Sequence, residues 1–218
     1  IKKSRTLAFF AEILKKIVNK FDENQQLSIK KQFIQGNPEI IDALISLNIL
    51  DEYQKEETND NVISFFHQEF FDYLFARFFI QQDKDIFNWL IEKEQSLFRR
   101  EQLSQLLIFK RNSAQRGKHL EVINKILKSD EIRFHLKQVT LHQFSNFDSL
   151  LDKEVDYVID LIKEDDWKEH IIYEVIYNNE DWFVKLYNRD FFHQSLTEEK
   201  HLSKSELINT FGIYLEDY

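Results

Sequence analysis

The chain has 218 residues, enough for one large or two small domains, and 43% of them are hydrophobic, enough for a true core. Three Gly and one Pro leave little of the punctuation that sheets need, so a mainly α fold is expected; Gly36, Gly117 and Gly212 stand alone, which excludes a P-loop or a dinucleotide fingerprint. A net charge of −9 argues against nucleic acid as partner, and the lack of Cys excludes disulfides and thiolate metal sites.

No run of 18 apolar residues occurs, so no membrane span or signal peptide is expected and a cytoplasmic setting fits. The chain begins at Ile1 and contains no Met, which predicts an excised piece of a longer protein.

Residues 5–20 read as the first helix, because Leu7, Phe10, Ile13, Leu14 and Ile17 recur at the helical period. A second helix is expected over 26–35. A third runs from Pro38, which suits a first helical turn after Gly36-Asn37, to Leu47. Then the period changes. Ile49 to Gln54 alternates, Lys55 to Asn61 is a polar cluster, and Val62 to Phe65 reads as a second strand. Two short strands around a polar tip predict a hairpin. Three helices followed by a hairpin is the element order of a winged helix, assigned to residues 1–82.

The run Phe65–Phe79 is a nearly continuous aromatic helix with His67 at its start. A helix apolar on most of its circumference must be buried between two layers. A histidine there sits where free N–H groups and the helix dipole favour an anion. Glu69 and Asp72, in the first turns, read as carboxylates favoured by that dipole. Arg77, Arg99 and Arg100 read as partners in surface ion pairs.

Beyond Gln82, helices are expected at about 84–95, 99–112, 117–128, 131–145, 150–163, 166–178, 180–192 and 203–216. Stripes such as Val155, Val158, Ile159 and Ile162, or Leu120, Ile123 and Leu127, give each a buried face. Helix pairs of about 33 residues predict an irregular HEAT-like α-solenoid over 83–218. The domain boundary is placed near Ile80–Asp85, with the aromatic helix packing against both sides. Phe144, Phe147, Trp167, Trp182, Phe183, Phe191 and Phe192 are expected in the solenoid core. Asp165-Asp166 is expected to open a helix, with Asp as the N-cap. His135 and His142 are seven apart, not the four that zinc on one helix prefers, so no metal site is assigned. From Asp148 to Asp181 twelve Asp/Glu stand against three Lys, read as a solvated helical face.

Ile63-Ser64-Phe65-Phe66-His67-Gln68-Glu69-Phe70-Phe71-Asp72-Tyr73-Leu74-Phe75-Ala76 resembles the end of the winged-helix domain of NACHT-type STAND ATPases, where a strand ends in an aromatic–His pair before an aromatic and acidic helix. Ile40 to Leu50 resembles that domain's helix leading into its first wing strand. Leu97 to Leu103 resembles the segment linking such modules to their sensor repeats. The likeness covers 38–80 well, 1–37 loosely, and the C-terminal half in architecture alone.

The resemblance implies an ATP-dependent switch with an NTPase core, a winged helix and a C-terminal sensor. It implies that His67 contacts the phosphates of bound ADP in the closed state, and that ATP exchange and sensor binding lead to homo-oligomerisation, in bacteria commonly for antiviral defence. The chain departs from the family in having no Walker A or Walker B element. The core would precede Ile1, so this piece is expected to carry no catalytic residue and no cofactor of its own, while ADP or ATP with Mg belongs to the parent. The partners implied are that core in cis and a protein ligand on the helical array, with neither nucleic acid nor membrane. A free-standing helical-repeat scaffold is the competing reading. A DNA-binding winged helix fares worse: its recognition helix, about 38–47, carries Glu39 and Asp42 but no Lys or Arg.

Overall fold

A computed structural model of the chain describes residues 2–34, 38–56, 58–113, 118–147, 149–177 and 179–198, with positions 202, 205, 209 and 212. The described residues are mainly helical, with one small antiparallel sheet. They form two compact units, residues 1–109 and 110–218.

The first unit opens with α1, Lys2–Asn24. Ile13, Ile17, Val18 and Phe21 bury one face of it, at the helical spacing. The helix expected over 26–35 is corrected: Ser28–Lys30 is strand β1, followed by a 3-10 turn at Lys31–Phe33. The reason is non-local. Ser28, Ile29 and Lys30 pair with Ser64, Ile63 and Val62, and Ile29 enters the core at 3% exposure. The Lys30–Asp60 ion pair at 2.8 Å closes the far end of that pairing. Helix α2 is Pro38–Ser46, with Pro38 in its first turn as anticipated. Strands β2, Leu50–Lys55, and β3, Asp60–Phe65, form the hairpin. The sheet order is β1-β3-β2, so β3 is central.

Helix α3, Gln68–Gln81, follows directly. Phe71, Leu74, Phe75, Ala76, Phe78 and Phe79 are buried along it. Phe71 meets Phe21 of α1 at 5.8 Å on one side and Phe98 at 5.7 Å on another. Helix α4, Ile86–Glu92, brings Trp89 to 5.4 Å from Phe75 and 5.5 Å from Phe79. Such ring pairs add about 0.5–1.5 kcal/mol each beyond area burial. Trp89 and Phe98 thereby pack with the first unit, which runs to Phe109.

Helix α5, Arg99–Asn112, carries the division between Phe109 and Lys110. The second unit continues with α6, Lys118–Lys128; α7, Phe134–Ser145; α8, Asp152–Ile162; α9, Asp165–Ile171; α10, Glu180–Asn188; and α11, Phe191–Glu198. A π-helical turn at Ile172–Ile176 extends α9. The N-cap of α9 is Glu164, one residue before the expected Asp, and its side chain makes no capping bond. The stretch 180–192 is two helices, broken at Arg189-Asp190, where Asp190 takes φ 58°. The helix expected at 203–216 lies almost wholly outside the described residues.

With few glycines, other residues take the left-handed positions that stop helices and turn the hairpin. Gln25, Asn48, Asn59, Asp83 and Asp190 all have positive φ. Asn and Asp accept that conformation because their short polar side chains bond locally.

Helices of the second unit are tied together across intervening ones. Trp182 of α10 donates to the Phe144 carbonyl of α7 at 2.7 Å, and Tyr157 of α8 donates to Asn124 of α6 at 3.3 Å. Phe144, Phe147, Trp167, Trp182, Phe191 and Phe192 are buried there, and Phe183 is half-buried.

Candidate functional site

His67 occupies the N-cap position of α3, with φ −119° and ψ 122°. Its side chain is exposed and makes no capping bond, so the imidazole is free to face a partner. The ring stands edge-on to Phe66 at 4.7 Å. The His67 carbonyl accepts from Phe70 N at 3.1 Å, which closes the first turn. Glu69 lies in that turn and is exposed.

Phe66 and Gln68, on either side of His67, line a groove of about 270 Å³ together with Leu27, Ser28, Tyr53 and Ser64. Leu27, Tyr53 and Phe66 are 44–52% exposed, so its rim is apolar and open. Phe70 and Tyr73, stacked at 6.4 Å, continue the exposed aromatic surface along α3. The aromatic helix is therefore not enclosed all round. Its Phe71–Phe75–Phe79 side is core, while its Phe66–Phe70–Tyr73 side meets solvent.

Asp72 departs from its sequence reading. The dipole alone does not describe its setting, since the residue is buried, 3% exposed. Burial pushes its carboxyl up to about 7, and repulsion from Glu101 and Glu69 adds to the shift. Arg77 is exposed and donates to Tyr73 Oη at 3.4 Å.

Arg99 also departs. The expected surface ion pair is a buried one, with Arg99 1% exposed. Its guanidinium donates to Asp22 of α1 and, at 2.8 Å, to Gln102 Oε1, and lies 4.9 Å over the Trp89 ring. Gln102 Nε2 donates to the same Asp22 carboxylate at 3.1 Å. Arg100 remains exposed.

In the second unit, His142 is exposed and His135 half-buried on α7. Among the described residues no three His, Asp or Glu side chains gather as metal ligands. The acidic run hides one residue that sequence reasoning missed. Glu154 is fully buried and collects four bonds: Arg111 Nε at 2.7 Å, Arg111 Nη2 at 3.0 Å, His119 Nε2 at 2.8 Å and Leu151 N at 2.8 Å. Burial would raise its carboxyl, but the bonds from His119, Arg111 and Leu151 outweigh that and hold it at about 2. The Arg111 guanidinium lies 3.9 Å from the Phe147 ring centre. His119 is 1% exposed and its Nδ1 has no partner. A His–Glu pair can serve acid–base chemistry, but only where a substrate can reach it. This one is sealed in the core and acts as a tie between helices.

No protein-family model, no curated protein and no solved structure matches the chain.

Proposed function

We propose that the chain is the regulatory and sensor portion of a cytoplasmic STAND-type ATPase of the NACHT kind, acting in defence signalling and holding no catalytic site of its own. The observation that carries this reading is the junction of β3 with α3, where a central strand ends in Phe65-Phe66 and His67 stands exposed at the N-cap of an aromatic helix. A side chain so placed, beside the free N–H groups of the first turn, suits a phosphate presented by a neighbouring domain.

Two further features support the reading. The order α1, β1, 3-10 turn, α2, β2, β3, with β3 central, suits a winged helix whose three helices are α1, the short turn and α2, and whose wing is β2–β3. The second unit suits a HEAT-like array, since its helices contact near neighbours in the manner of a stacked repeat. In this reading the NTPase core acts in cis, ADP or ATP with Mg belongs to the parent, and the array takes a protein ligand. Helix α2 carries Glu39 and Asp42 and no Lys or Arg, which disfavours the DNA-reading alternative.

The test is nucleotide content. The parent protein, purified and denatured, is expected to release bound ADP, and His67→Ala is expected to lower that occupancy and raise basal activity. A parent that holds no adenine nucleotide would overturn the proposal; unchanged occupancy in the variant would remove His67 from the site.

A further inference from the structure

A cavity of about 190 Å³ opens between α1, the C-terminal half of α3 and α4, wholly within the first unit. Its apolar wall is Phe75, Phe78 and Phe79 of α3 with Trp89 of α4, all of them buried. Trp89 lies 5.4 Å from Phe75 and 5.5 Å from Phe79, so ring contacts hold that wall in place. The Trp89 indole N–H is buried without a hydrogen-bond partner. A buried donor left unpaired is uncommon and calls for an acceptor.

The charges around the cavity do not balance. Asp22 and Glu23 of α1 line it, but Asp22 is bonded by Arg99 and Gln102, and Glu23 by Lys20 at 3.3 Å. Lys84 and Lys93 line it as well, and among the described residues neither is in a hydrogen bond or an ion pair. Lys93 is the C-cap of α4, one helical turn after Trp89. Both ammonium groups therefore stand uncompensated beside an aromatic wall, in a chain whose net charge is −9.

We propose that this cavity binds a small organic anion, a carboxylate carried on a single ring. A dry cavity of about 150 Å³ holds benzene, so the space here takes one ring with a short carboxylate arm and no more. The ring lies against the phenylalanines and Trp89, and the carboxylate meets Lys84 and Lys93. Its oxygens are acceptors of the kind Trp89 lacks. Asp22 and Glu23 on the α1 side would repel a second negative charge, which favours a monoanion over a phosphate ester. The cavity lies at the far end of α3 from His67 and does not depend on a nucleotide.

Titration of the ¹⁵N-labelled chain with phenylacetate tests this. The Trp89 indole signal, assigned by its loss in Trp89→Phe, is expected to shift and saturate while those of Trp167 and Trp182 stay. Lys84→Gln and Lys93→Gln, both at exposed positions, are each expected to weaken binding about threefold. Phenylacetamide, which keeps the shape and loses the charge, is expected to bind about tenfold more weakly. An unmoved Trp89 signal at about 10 mM phenylacetate, weaker than specific binding requires, would overturn the proposal. So would a shift shared equally by all the indoles, equal binding of the amide, or unchanged affinity in both lysine variants.

Discussion

Arg111 grips the fully buried carboxylate of Glu154 with two bonds, Nε to Oε1 at 2.7 Å and Nη2 to Oε2 at 3.0 Å. His119 adds a third at 2.8 Å. This one carboxylate joins the last turn of α5 to the starts of α6 and α8. Glu154→Ala strips the acceptor from a guanidinium and a buried imidazole at once. Removing one partner of a buried pair costs about 3–5 kcal/mol. Urea unfolding at pH 7 checks it, and a loss below about 1 kcal/mol, the scale of an exposed pair, would contradict it.

The pH profile should show two opposite limbs. Glu154 is held down at about 2 from an ordinary 4.5, so its contribution is present above 4.5 and lost as pH falls through 2. Asp72 is raised from 3.8 to about 7, so its contribution is full below 3.8 and lost as pH rises through 7. Together they favour mildly acidic conditions. Thermal midpoints across pH 2–8 should lose the acid limb in Glu154→Gln and the neutral limb in Asp72→Asn. A profile unchanged by either substitution would contradict the assignment.

Arg99 should resist conservative replacement. It bonds Asp22 and Gln102 while its guanidinium carbon lies 4.9 Å from the Trp89 ring centre. Lysine offers a single ammonium that cannot do all three. Arg99→Ala is expected to cost about 3 kcal/mol, and Arg99→Lys to recover less than half of that. A double-mutant cycle with Asp22→Asn should report a coupling near or above about 1 kcal/mol. Additive losses would show that the pair is not coupled.

The α3 N-terminus should behave in the opposite way. His67 makes no capping bond and Phe66 is 52% exposed, so His67→Ala and Phe66→Ser should change stability by no more than about 0.5 kcal/mol. If the proposed function holds, effects of these substitutions on nucleotide occupancy of the longer protein would then report function and not folding. A large stability loss would return both residues to a structural role.

Legibility in the sequence followed the range of the forces involved. Helix α5 was readable over 99–112, and α6 and α8 within a residue or two, because each carries its own apolar period. Strand β1 was not, since three residues with one buried side chain become a strand only through Ser64, Ile63 and Val62, more than thirty positions away. Glu154 looked like one more acid in a solvated run; its partners His119 and Arg111 lie 35 and 43 positions upstream. Asp72 was read from its own helix, where the dipole favours it. The opposing charge of Glu101 arrives from α5 and leaves no trace in local pattern. His67 was legible because a helix N-terminus is a local feature.

The proposed nucleotide switch needs a core that lies outside this chain. The sequence encoded immediately before Ile1 tests that most directly. A Gly-Lys-Ser/Thr P-loop followed by an acidic Walker B strand is expected there in the same reading frame. A start codon directly before Ile1, with no such segment, would contradict it.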